Sequence, residues 1–337
     1  MSIDPTTPRP RILVTGVGGP SGQSIMKSLR TLDPPVDVLA ADLDPYAAGL
    51  YLVPADRRFL LPRGDDPAFC DHLLELARRE RADVVVPTVD SELLPVSERR
   101  ADFAAAGAAV VVASPETLRT CLDKWALHQA CVDHVRVPAS VILDEHLDLD
   151  SVVFPVIVKP RTGSGSRGIH LIEDRAALAA IEPDGTNLVQ EHLPGEEFSL
   201  DVIARADGRV IGVVPRERLK VDSGIAITGR TIRDEALESY GKRVAELIGL
   251  TTVANVQAKR AADGTWALLE VNARFPGTMP LTVAAGIDMP ALAVREALGE
   301  TLPDGPLAFA EVGMVRYMEE LFLPFSDIET VQRTGAA

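Results

Sequence analysis

The chain has 337 residues, of which 46% are hydrophobic and 25% are charged. This composition is that of a globular protein, and the length is enough for two or three packed units. A formal net charge of -15 argues against general binding to nucleic acid, which depends on a basic surface and on counterion release from phosphates. We therefore expect small molecules, and no nucleic acid, as partners.

Targeting signals and cysteines give the next expectations. Residues 1–10 carry neither a basic segment nor an apolar one, and the chain has no run of about 18 apolar residues. These features predict a disordered N-terminus over residues 1–10 and a cytoplasmic protein that does not enter a membrane. Cys70, Cys121 and Cys131 lack CxxC spacing, so we expect buried thiols and neither a disulfide framework nor a zinc site.

Short apolar runs alternate with helical stretches from Arg11 to Ala113. Such alternation predicts an α/β unit with a doubly wound parallel sheet. The predicted strands are Arg11–Thr15, Val36–Ala41, Asp83–Thr88 and Ala108–Val112. The predicted helices are Ser21–Leu32, Pro67–Arg81, Glu92–Ala105 and Pro115–Cys121, with Ser114 as the N-cap of the last one.

The pattern changes near Pro155 to one typical of antiparallel α+β units. The predicted strands are Pro155–Pro160, Asn187–Leu193, Phe198–Arg205, Val210–Val214, Thr252–Ala261, Trp266–Val271 and Val312–Leu321. Helices are predicted at Asp234–Ile248 and Met289–Leu298, and the tail beyond residue 321 has no pattern. The turn residues Ala262-Asp263-Gly264 predict a hairpin between two of these strands.

A glycine-rich segment, TGVGGPSG at residues 15–22, follows the first predicted strand, and Asp42 follows the second. In nicotinamide-dependent enzymes such glycines admit a pyrophosphate to a helix N-terminus, and an acidic side chain holds the ribose. Short-chain dehydrogenases with a similar turn also need a Tyr-x-x-x-Lys pair, which none of the four tyrosines provides. We favour a tight strand-to-helix turn and keep an NAD-dependent short-chain-type oxidoreductase as an alternative.

Two segments suggest a nucleotide site. Lys159 ends a predicted strand and is followed by the small-residue loop RTGSGSRG at 161–168, whose N–H groups could surround a triphosphate beside the fixed lysine charge. Further on, residues 190–193 (QEHL) could offer backbone groups to an adenine, and Glu197 could hold ribose hydroxyls. A surface linker and solvated turn charges are the alternative interpretations of these two segments.

A pair of strands carries the strongest signal. Gln257 lies on one strand, and Glu270, Asn272 and Arg274 alternate with apolar residues along the next. Alternation with a period of two puts the last three on one face of the strand. Amide and carboxylate oxygens suit Mg²⁺. A strand side facing solvent is the alternative, but it does not explain the arginine that follows the oxygen ligands, so we predict a metal–nucleotide site.

Taken together, these segments resemble the ATP-grasp superfamily over about Arg11 to Arg316. They are most similar to the synthetase halves of carbamoyl-phosphate synthase and to carboxylate–amine ligases of the pyrrolysine-biosynthesis type. The resemblance implies an ATP-grasp fold in which an α/β domain over residues 11–113 precedes an ATP-grasp domain over 114–337. Two α+β subdomains of the latter would sandwich ATP, with a small lid subdomain at about 155–195.

The resemblance also implies roles for individual residues. Gln257, Glu270 and Asn272 would ligate two Mg²⁺ ions, which Mn²⁺ could replace, and Arg274 together with Lys159 would act in catalysis. The other implied ATP contacts are two phosphate-binding lysines, the small-residue loop, the adenine hinge and the ribose acid. In chain order these residues are Lys124, Lys159, Gly163, Ser164, Gly165, Ser166, Gly168, Gln190, Glu191, His192, Leu193 and Glu197.

The activity implied is that of an ATP-dependent ligase that forms a carbon–nitrogen bond. A carboxylate would become an acyl phosphate, and an amine, such as that of an amino acid, would then attack it. A carbamoyl-phosphate-synthase-like enzyme acting on bicarbonate or carbamate, and a non-catalytic nucleotide-binding subunit, are the alternatives. A homodimer is a family expectation. Six charged residues could contact substrate or be ordinary structural charges: Asp90, Glu92, Arg216, Arg218, Arg230 and Arg316.

Overall fold

A computed structural model describes residues 8–163, 165, 167–222 and 224–334, and in these residues the strands form three sheets. The first sheet contains β1 (Arg11–Val14), β2 (Asp37–Asp42), β3 (Arg58–Leu60), β4 (Val84–Val86) and β5 (Ala109–Val110). All its neighbouring strands are parallel, in the order β3-β2-β1-β4-β5. The doubly wound sheet is thus confirmed, and the strand order reverses between β1 and β4, where such folds bind ligands.

The helices of this part are α1 (Pro20–Leu29), α2 (Phe69–Arg79), α3 (Asp90–Glu98), α4 (Arg100–Ala105) and α5 (Pro115–Leu122). The single helix predicted at Glu92–Ala105 was wrong, because the backbone leaves helical geometry at Arg99 and splits it into α3 and α4. The N-cap of α5 is confirmed, since the Ser114 hydroxyl accepts the Thr117 N–H at 3.1 Å.

A four-stranded antiparallel sheet comes next, in the order β6-β9-β7-β8. Its elements follow α6 (Lys124–Cys131) and are β6 (Ser140–Asp144), β7 (Val156–Pro160), β8 (His170–Ile172), α7 (Arg175–Ala179) and β9 (Asp184–Glu191). A small core containing Val156, Leu178 and Val189 lies on one face of this sheet. Of these elements, only β7 and the end of β9 were predicted from the sequence.

The third sheet is antiparallel, in the order β14-β13-β10-β11-β12-β15. Its strands are β10 (Glu197–Ala204), β11 (Val210–Asp222), β12 (Ile225–Thr231), β13 (Val253–Arg260), β14 (Trp266–Asn272) and β15 (Gly313–Val315). Its helices are α8 (Glu235–Leu247), α9 (Met279–Ala284), α10 (Met289–Ala297) and α11 (Phe325–Thr334). Leu200 and Val256 share a buried cluster with Leu237 and Val244 of α8, so one face of the sheet belongs to the core.

The C-terminal predictions were only partly right. The hairpin of β13 and β14 is confirmed, but the strand predicted at Val312–Leu321 forms only over Gly313–Val315. The tail without a pattern contains α11, which packs beside β3 of the first sheet and buries Val331. Cys70, Cys121 and Cys131 are buried free thiols, as expected. Within the described ranges, no helix combines the length and apolarity needed to cross a bilayer.

Candidate active site

A cleft of about 930 Å³ brings most of the predicted site residues together. Its walls come from both antiparallel sheets and from the start of α1, where Pro20 and Ser21 face it. This volume is within the range of small-molecule sites. Lys124 and Arg274 also line it, although one begins α6 and the other follows β14.

Polar side chains of the six-stranded sheet point into the cleft in a row. The strand register places Gln257 opposite both Glu270 and Ser199, and Ser199 opposite Arg216. Because directly opposed residues of antiparallel strands lie on one face, the row runs continuously across β14, β13, β10 and β11. All four residues line the cleft, so the strand face predicted to bind a metal does not simply face bulk solvent.

Lys159 lies beside this row at the end of β7. Its side chain is only 5% exposed, and its Nζ donates to the Leu269 carbonyl at 3.4 Å. Burial lowers the pKa of Lys159 to about 8, the Lys124 charge contributes to the lowering, and the Glu270 carboxylate opposes it. This ammonium donates to a neutral carbonyl. A phosphate would accept a stronger, charge-assisted hydrogen bond from it.

The predicted metal ligands form a sparse oxygen set. Asn272 Nδ2 donates to Glu270 Oε1 at 3.1 Å, and Gln257 lies across the hairpin from Glu270. In the part of the chain that the structure describes, no group of three His, Cys, Asp or Glu residues could hold a metal ion. Mg²⁺ commonly takes one or two protein carboxylates and completes its shell with water and substrate phosphates. The donor set therefore fits a metal that arrives with a nucleotide.

Lys124 is positioned by contacts between α6 and the loop after β7. The Asp123 side chain caps α6 and forms an ion pair with Arg161 at 2.6 Å, while Lys124 N–H donates to the Arg161 carbonyl at 2.9 Å. Burial tends to raise the pKa of Asp123, but Arg161 and the helix N–H groups outweigh it and hold that pKa below its usual value. Lys124 Nζ in turn donates to the Gly163 carbonyl at 3.0 Å.

The predicted phosphate loop has the backbone of a glycine loop. Gly163, Gly165 and Gly168 have φ values of 114°, 73° and 71°, in the region that residues with a Cβ rarely adopt. Gly163 and Gly165 line the cleft. The other two predicted loop residues, Ser164 and Ser166, lie outside the described residues.

The predicted adenine hinge, residues 190–193, covers the last two residues of β9 and the two that follow it. Gln190 is buried and its Nε2 donates to Ser140 Oγ at 2.9 Å. Both Glu191 oxygens accept from Arg136, at 2.7 and 2.8 Å, and this contact outweighs burial and lowers the pKa of Glu191. The Glu191 side chain is therefore engaged by the protein, so its backbone is the part left for a base. His192 and Leu193 continue the same wall of the cleft.

Glu197, the predicted ribose acid, lines the cleft at the start of β10 and forms an ion pair with Arg218. Arg218 also donates to the Gly224 carbonyl at 2.8 Å, so one arginine links the carboxylate to the turn between β11 and β12. Arg218 was left open as a substrate contact, and the structure places it among the cleft residues. A ribose would have to share Glu197 with this guanidinium.

Arg274 contacts the N-terminal α/β part through Asp90. Its Nε lies 2.6 Å from Asp90 Oδ1 and its Nη2 lies 3.3 Å from Asp90 Oδ2, which makes a two-point ion pair between partly buried side chains. Asp90 begins α3, directly after β4 at the point where the strand order reverses. The sequence left Asp90 open as a substrate contact or an ordinary structural charge, and the structure shows that it is the ion-pair partner of the predicted catalytic arginine.

The other residues left open have protein partners. Glu92 is buried and accepts from Thr15 Oγ1 at 2.5 Å, and burial raises the pKa of Glu92 to about 7. Arg230 pairs with Glu217 at 2.5 Å on an exposed surface, and Arg316 donates to the Gly277 carbonyl. None of these three contacts points to a substrate.

Asp201 is a residue that the sequence reasoning missed. It is fully buried and accepts from Arg216 at 2.6 and 2.8 Å, from Asn255 at 2.9 Å and from Thr282 at 2.5 Å. The signal was present, because Glu197, Ser199 and Asp201 alternate with apolar residues along β10 in the same way as the polar residues of β14. This network holds Arg216 at the floor of the cleft.

The glycine-rich segment is a tight turn. Asp42 Oδ2 accepts the Gly18 N–H at 2.7 Å, and a Cβ on Gly22 would lie 2.5 Å from the Gly16 carbonyl oxygen. The carboxylate that a nicotinamide enzyme would offer to a ribose is therefore engaged by the turn itself. These contacts favour the structural interpretation over the dehydrogenase alternative.

Comparison with known proteins agrees with this architecture. Residues 184–321 match a family described as ATP-grasp in the biosynthetic pathway with Ter operon, and residues 12–111 match the PylC-like N-terminal domain. The carbamoyl phosphate synthase large chain of Rubrobacter xylanophilus is 29% identical over 266 residues, which are 72% of this chain. This chain spans only 25% of that relative's length.

Solved structures share the fold at low sequence identity. The biotin carboxylase domain of the Hydrogenobacter thermophilus 2-oxoglutarate carboxylase, solved with MgADP, ADP and bicarbonate, superposes with a TM-score of 0.72 at 16% identity, over 90% of this chain and 73% of that one. The L-amino acid ligase of Bacillus licheniformis gives 0.66 at 17% identity, over 87% and 75%. These similarities show that the chain has an ATP-grasp fold, and its residues 184–321 match an ATP-grasp family.

Proposed function

We propose that this protein is an ATP-dependent carboxylate–amine ligase that works through an acyl phosphate. The observation that carries the proposal is the meeting of a buried ammonium, an oxygen ligand set and an anchored guanidinium in one cleft. These groups are Lys159, the pair Glu270 and Asn272, and Arg274. A non-catalytic nucleotide-binding subunit would need the buried ammonium of Lys159 to bind phosphates. It would not need an arginine fixed beyond the metal ligands.

The nucleotide would lie along the cleft between the two antiparallel sheets. Lys124 and Lys159 would contact its phosphates. Each of these ammonium groups donates to a backbone carbonyl, and a phosphate oxygen could replace that carbonyl as the acceptor. Backbone groups of residues 190–193 would bind the base, and Glu197 would bind the ribose. Gly163, Gly165 and Gly168 would let the loop approach the phosphates closely.

Gln257, Glu270 and Asn272 would hold two Mg²⁺ ions together with the phosphates. When bound, Mg²⁺ would supply positive charge that neutralises the negative charge developing during phosphoryl transfer. The protein's own contribution is to fix these three side chains on a hairpin whose register places Gln257 opposite Glu270. Mn²⁺ could replace Mg²⁺ at such oxygen ligands.

The reaction would take place in two steps. The substrate carboxylate attacks the γ-phosphorus in line, the bond to the bridging oxygen breaks, and an acyl phosphate and ADP result. The amine nitrogen then attacks the acyl carbon, loses a proton, and phosphate leaves. Arg274 would stabilise the oxyanion and the leaving phosphate, and Lys159 would stabilise the transferring phosphoryl group. Exclusion of water from the cleft would protect the acyl phosphate from hydrolysis.

Amino acids are the substrate class that we propose for both the carboxylate and the amine. The L-amino acid ligase of Bacillus licheniformis shares the fold, which supports this choice by analogy only. A cytoplasmic location, and a second copy of the chain as partner, remain predictions alongside this activity.

The proposed domain limits remain residues 11–113 and 114–337, with a lid at about 155–195. The proposed lid range contains three of the four strands of the second sheet, β7, β8 and β9. Limited proteolysis with and without MgATP tests the lid, because closure over a nucleotide should protect its loop from cleavage.

Phosphate release from MgATP by the purified protein tests the activity. Amino acids would be supplied singly and in pairs, and hydroxylamine would trap an acyl phosphate as a hydroxamate. We expect release that depends on substrate pairs, and we expect Glu270→Ala to abolish it. Glu98→Ala, which breaks an exposed ion pair with Arg119 away from the cleft, serves as the matched control. ATP that fails to bind at all would refute the proposal.

Bicarbonate activation is the second candidate, because the similar carbamoyl phosphate synthase chain covers 72% of this protein. The two functions differ in what stimulates ATP hydrolysis. Release stimulated by bicarbonate, and increased further by ammonia but not by amino acids, would favour this candidate. Release that needs an amino acid carboxylate would favour the ligase.

A further inference from the structure

An apolar strip of side chains faces solvent after β15. The chain leaves the six-stranded sheet at Val315 and reaches α11 at Phe325. Met318 is 95% exposed and Phe322 is 91% exposed. The large apolar residues exposed along the strip are Val315, Tyr317, Met318, Leu321, Phe322 and Phe325. They leave roughly 1,000 Å² of surface in solvent, more than the largest patch of a typical monomer.

The strip continues a strand with one unused edge. Among the described residues, β15 is the last strand of its sheet and pairs only with β12. Arg316 N–H donates to the Ile227 carbonyl at 2.8 Å, so even-numbered residues turn their backbone groups toward β12. Backbone groups of alternate residues point to opposite edges, and those of Val315 and Tyr317 therefore point away from the sheet. Such an edge is a template for another strand.

We propose that this edge pairs with the same edge of a second copy of the chain, antiparallel about a two-fold axis at Met318. The odd-numbered residues direct their backbone N–H and C=O groups to the free edge. Odd-numbered residues of the two copies must therefore pair with each other, which places the two-fold axis at a residue and not between two residues. Axes at Arg316, Glu319 or Glu320 place like charges opposite each other, which is unfavourable. An axis at Tyr317 sets Val315 against Glu319.

The axis at Met318 gives complementary pairs. Arg316 of each copy, whose guanidinium also donates to the Gly277 carbonyl within its own chain, faces Glu320 of the other, which brings opposite charges together twice. Val315 faces Leu321 of the second copy, which joins two apolar side chains, also twice. Pairs of both kinds stabilise antiparallel strands. This register also sets Tyr317 of each copy against Glu319 of the other. The opposite-charge and apolar pairs therefore favour it over the axis at Tyr317, which offers no such charge pair.

Two further features favour a second copy of the chain as the partner of this edge. The sequence predicts a strand over Val312–Leu321, but β15 stops at Val315. A second strand would supply the backbone partner that the described structure does not show for residues 317–321. Pro324, which cannot donate a backbone hydrogen bond, would end the ladder before α11. The strip offers each copy roughly 1,000 Å² of surface, from which an interface of about 800 Å² per copy, the size of a stable dimer interface, can be formed.

Sedimentation at micromolar concentrations tests the dimer. We expect the wild-type chain to be dimeric and Met318→Asp to be monomeric, because two carboxylates would meet on the axis. Val153→Asp is the matched control, since Val153 is 85% exposed and lies in the segment before β7. It should remain dimeric. A monomeric wild type, or a dimer that survives Met318→Asp, would overturn the proposal.

A cross-link tests the axis itself. Residues on the axis form a non-hydrogen-bonded pair with Cα atoms about 4.5 Å apart, within reach of a disulfide. The three native cysteines are buried, so a new surface thiol would react alone. Met318→Cys should give a disulfide-linked dimer on mild oxidation, whereas Val153→Cys should not. A Met318→Cys chain that stays unlinked would refute this register. Neither test uses ATP. Their outcome therefore does not depend on whether the proposed ligase activity is correct.

Discussion

Replacement of Lys159 by methionine should weaken MgATP binding and remove a pH dependence that the wild type shows near pH 8. Burial lowers the pKa of Lys159 to about 8 in the free protein. If phosphates bind the charged lysine, linkage makes the apparent affinity about ten-fold weaker at pH 9 than at pH 7. Lys159→Met should bind weakly throughout this range and show no such fall.

The same burial acts on folding with a defined sign. The ordinary pKa of a lysine is 10.5, so between about pH 8 and 10.5 the unfolded chain holds the proton that folded Lys159 has lost. The free energy of unfolding should therefore rise with pH across this window. Below pH 8 the buried ammonium costs the ligand-free fold roughly 3 kcal/mol at most. Lys159→Met removes this cost, so the ligand-free variant should be more stable than the wild type at neutral pH.

Calorimetric titration with a nonhydrolysable MgATP analogue, together with chemical denaturation at each pH, measures both effects. Lys124→Met is the control. It also removes a phosphate contact, but it should keep the inflection and move it to higher pH, because the Lys124 charge helps to lower the pKa of Lys159. An unchanged inflection in Lys159→Met, or a ligand-free variant less stable than the wild type at neutral pH, would refute the reasoning.

Two further predictions concern ion pairs. Asp90→Asn should release Arg274 and lower kcat about 10- to 100-fold, with little change in the KM for ATP. Steady-state phosphate release measures both constants. The control is Asp65→Asn, which breaks a two-point ion pair on the surface and should leave both constants unchanged. Asp201→Ala should lower the free energy of unfolding by about 3–5 kcal/mol in guanidinium titrations, because it strands a buried guanidinium. Glu98→Ala, in an exposed pair with Arg119, should cost at most about 1 kcal/mol, and similar losses for both variants would contradict the burial argument.

The sequence was informative where a regular strand fixes the direction of its side chains. Alternation along β14 placed Glu270 and Asn272 on one face, and the structure brings them to the same cleft as Lys159. The doubly wound sheet was predictable for a similar reason, because alternating strands and helices leave few topologies. Short elements such as β3 and β8 were missed, since three residues carry too little periodicity to be recognised.

Contacts between distant segments could not be predicted from local patterns. Asp90 and Arg274 are separated by 184 residues and meet only because β4 and β14 end near the same point. Nothing in the residues around Asp90 distinguishes a helix N-terminal carboxylate from a partner for a catalytic arginine. Asp201 differs, because its alternation with apolar residues along β10 is visible in the sequence. Applying the strand argument to β10 as well as β14 would have identified it.

The distribution of charge in the cleft explains how a chain with net charge -15 could bind a polyanion. Three arginines of the cleft are each neutralised by a carboxylate of the protein: Arg216 by Asp201, Arg218 by Glu197 and Arg274 by Asp90. Within the described residues, the ammonium groups of the two lysines instead donate to backbone carbonyls. Paired arginines are held rigidly but contribute little net attraction, whereas Lys124 and Lys159 form no ion pair among the described residues. Phosphates should therefore be drawn first to the lysines, and the arginines should act by position once a substrate is bound.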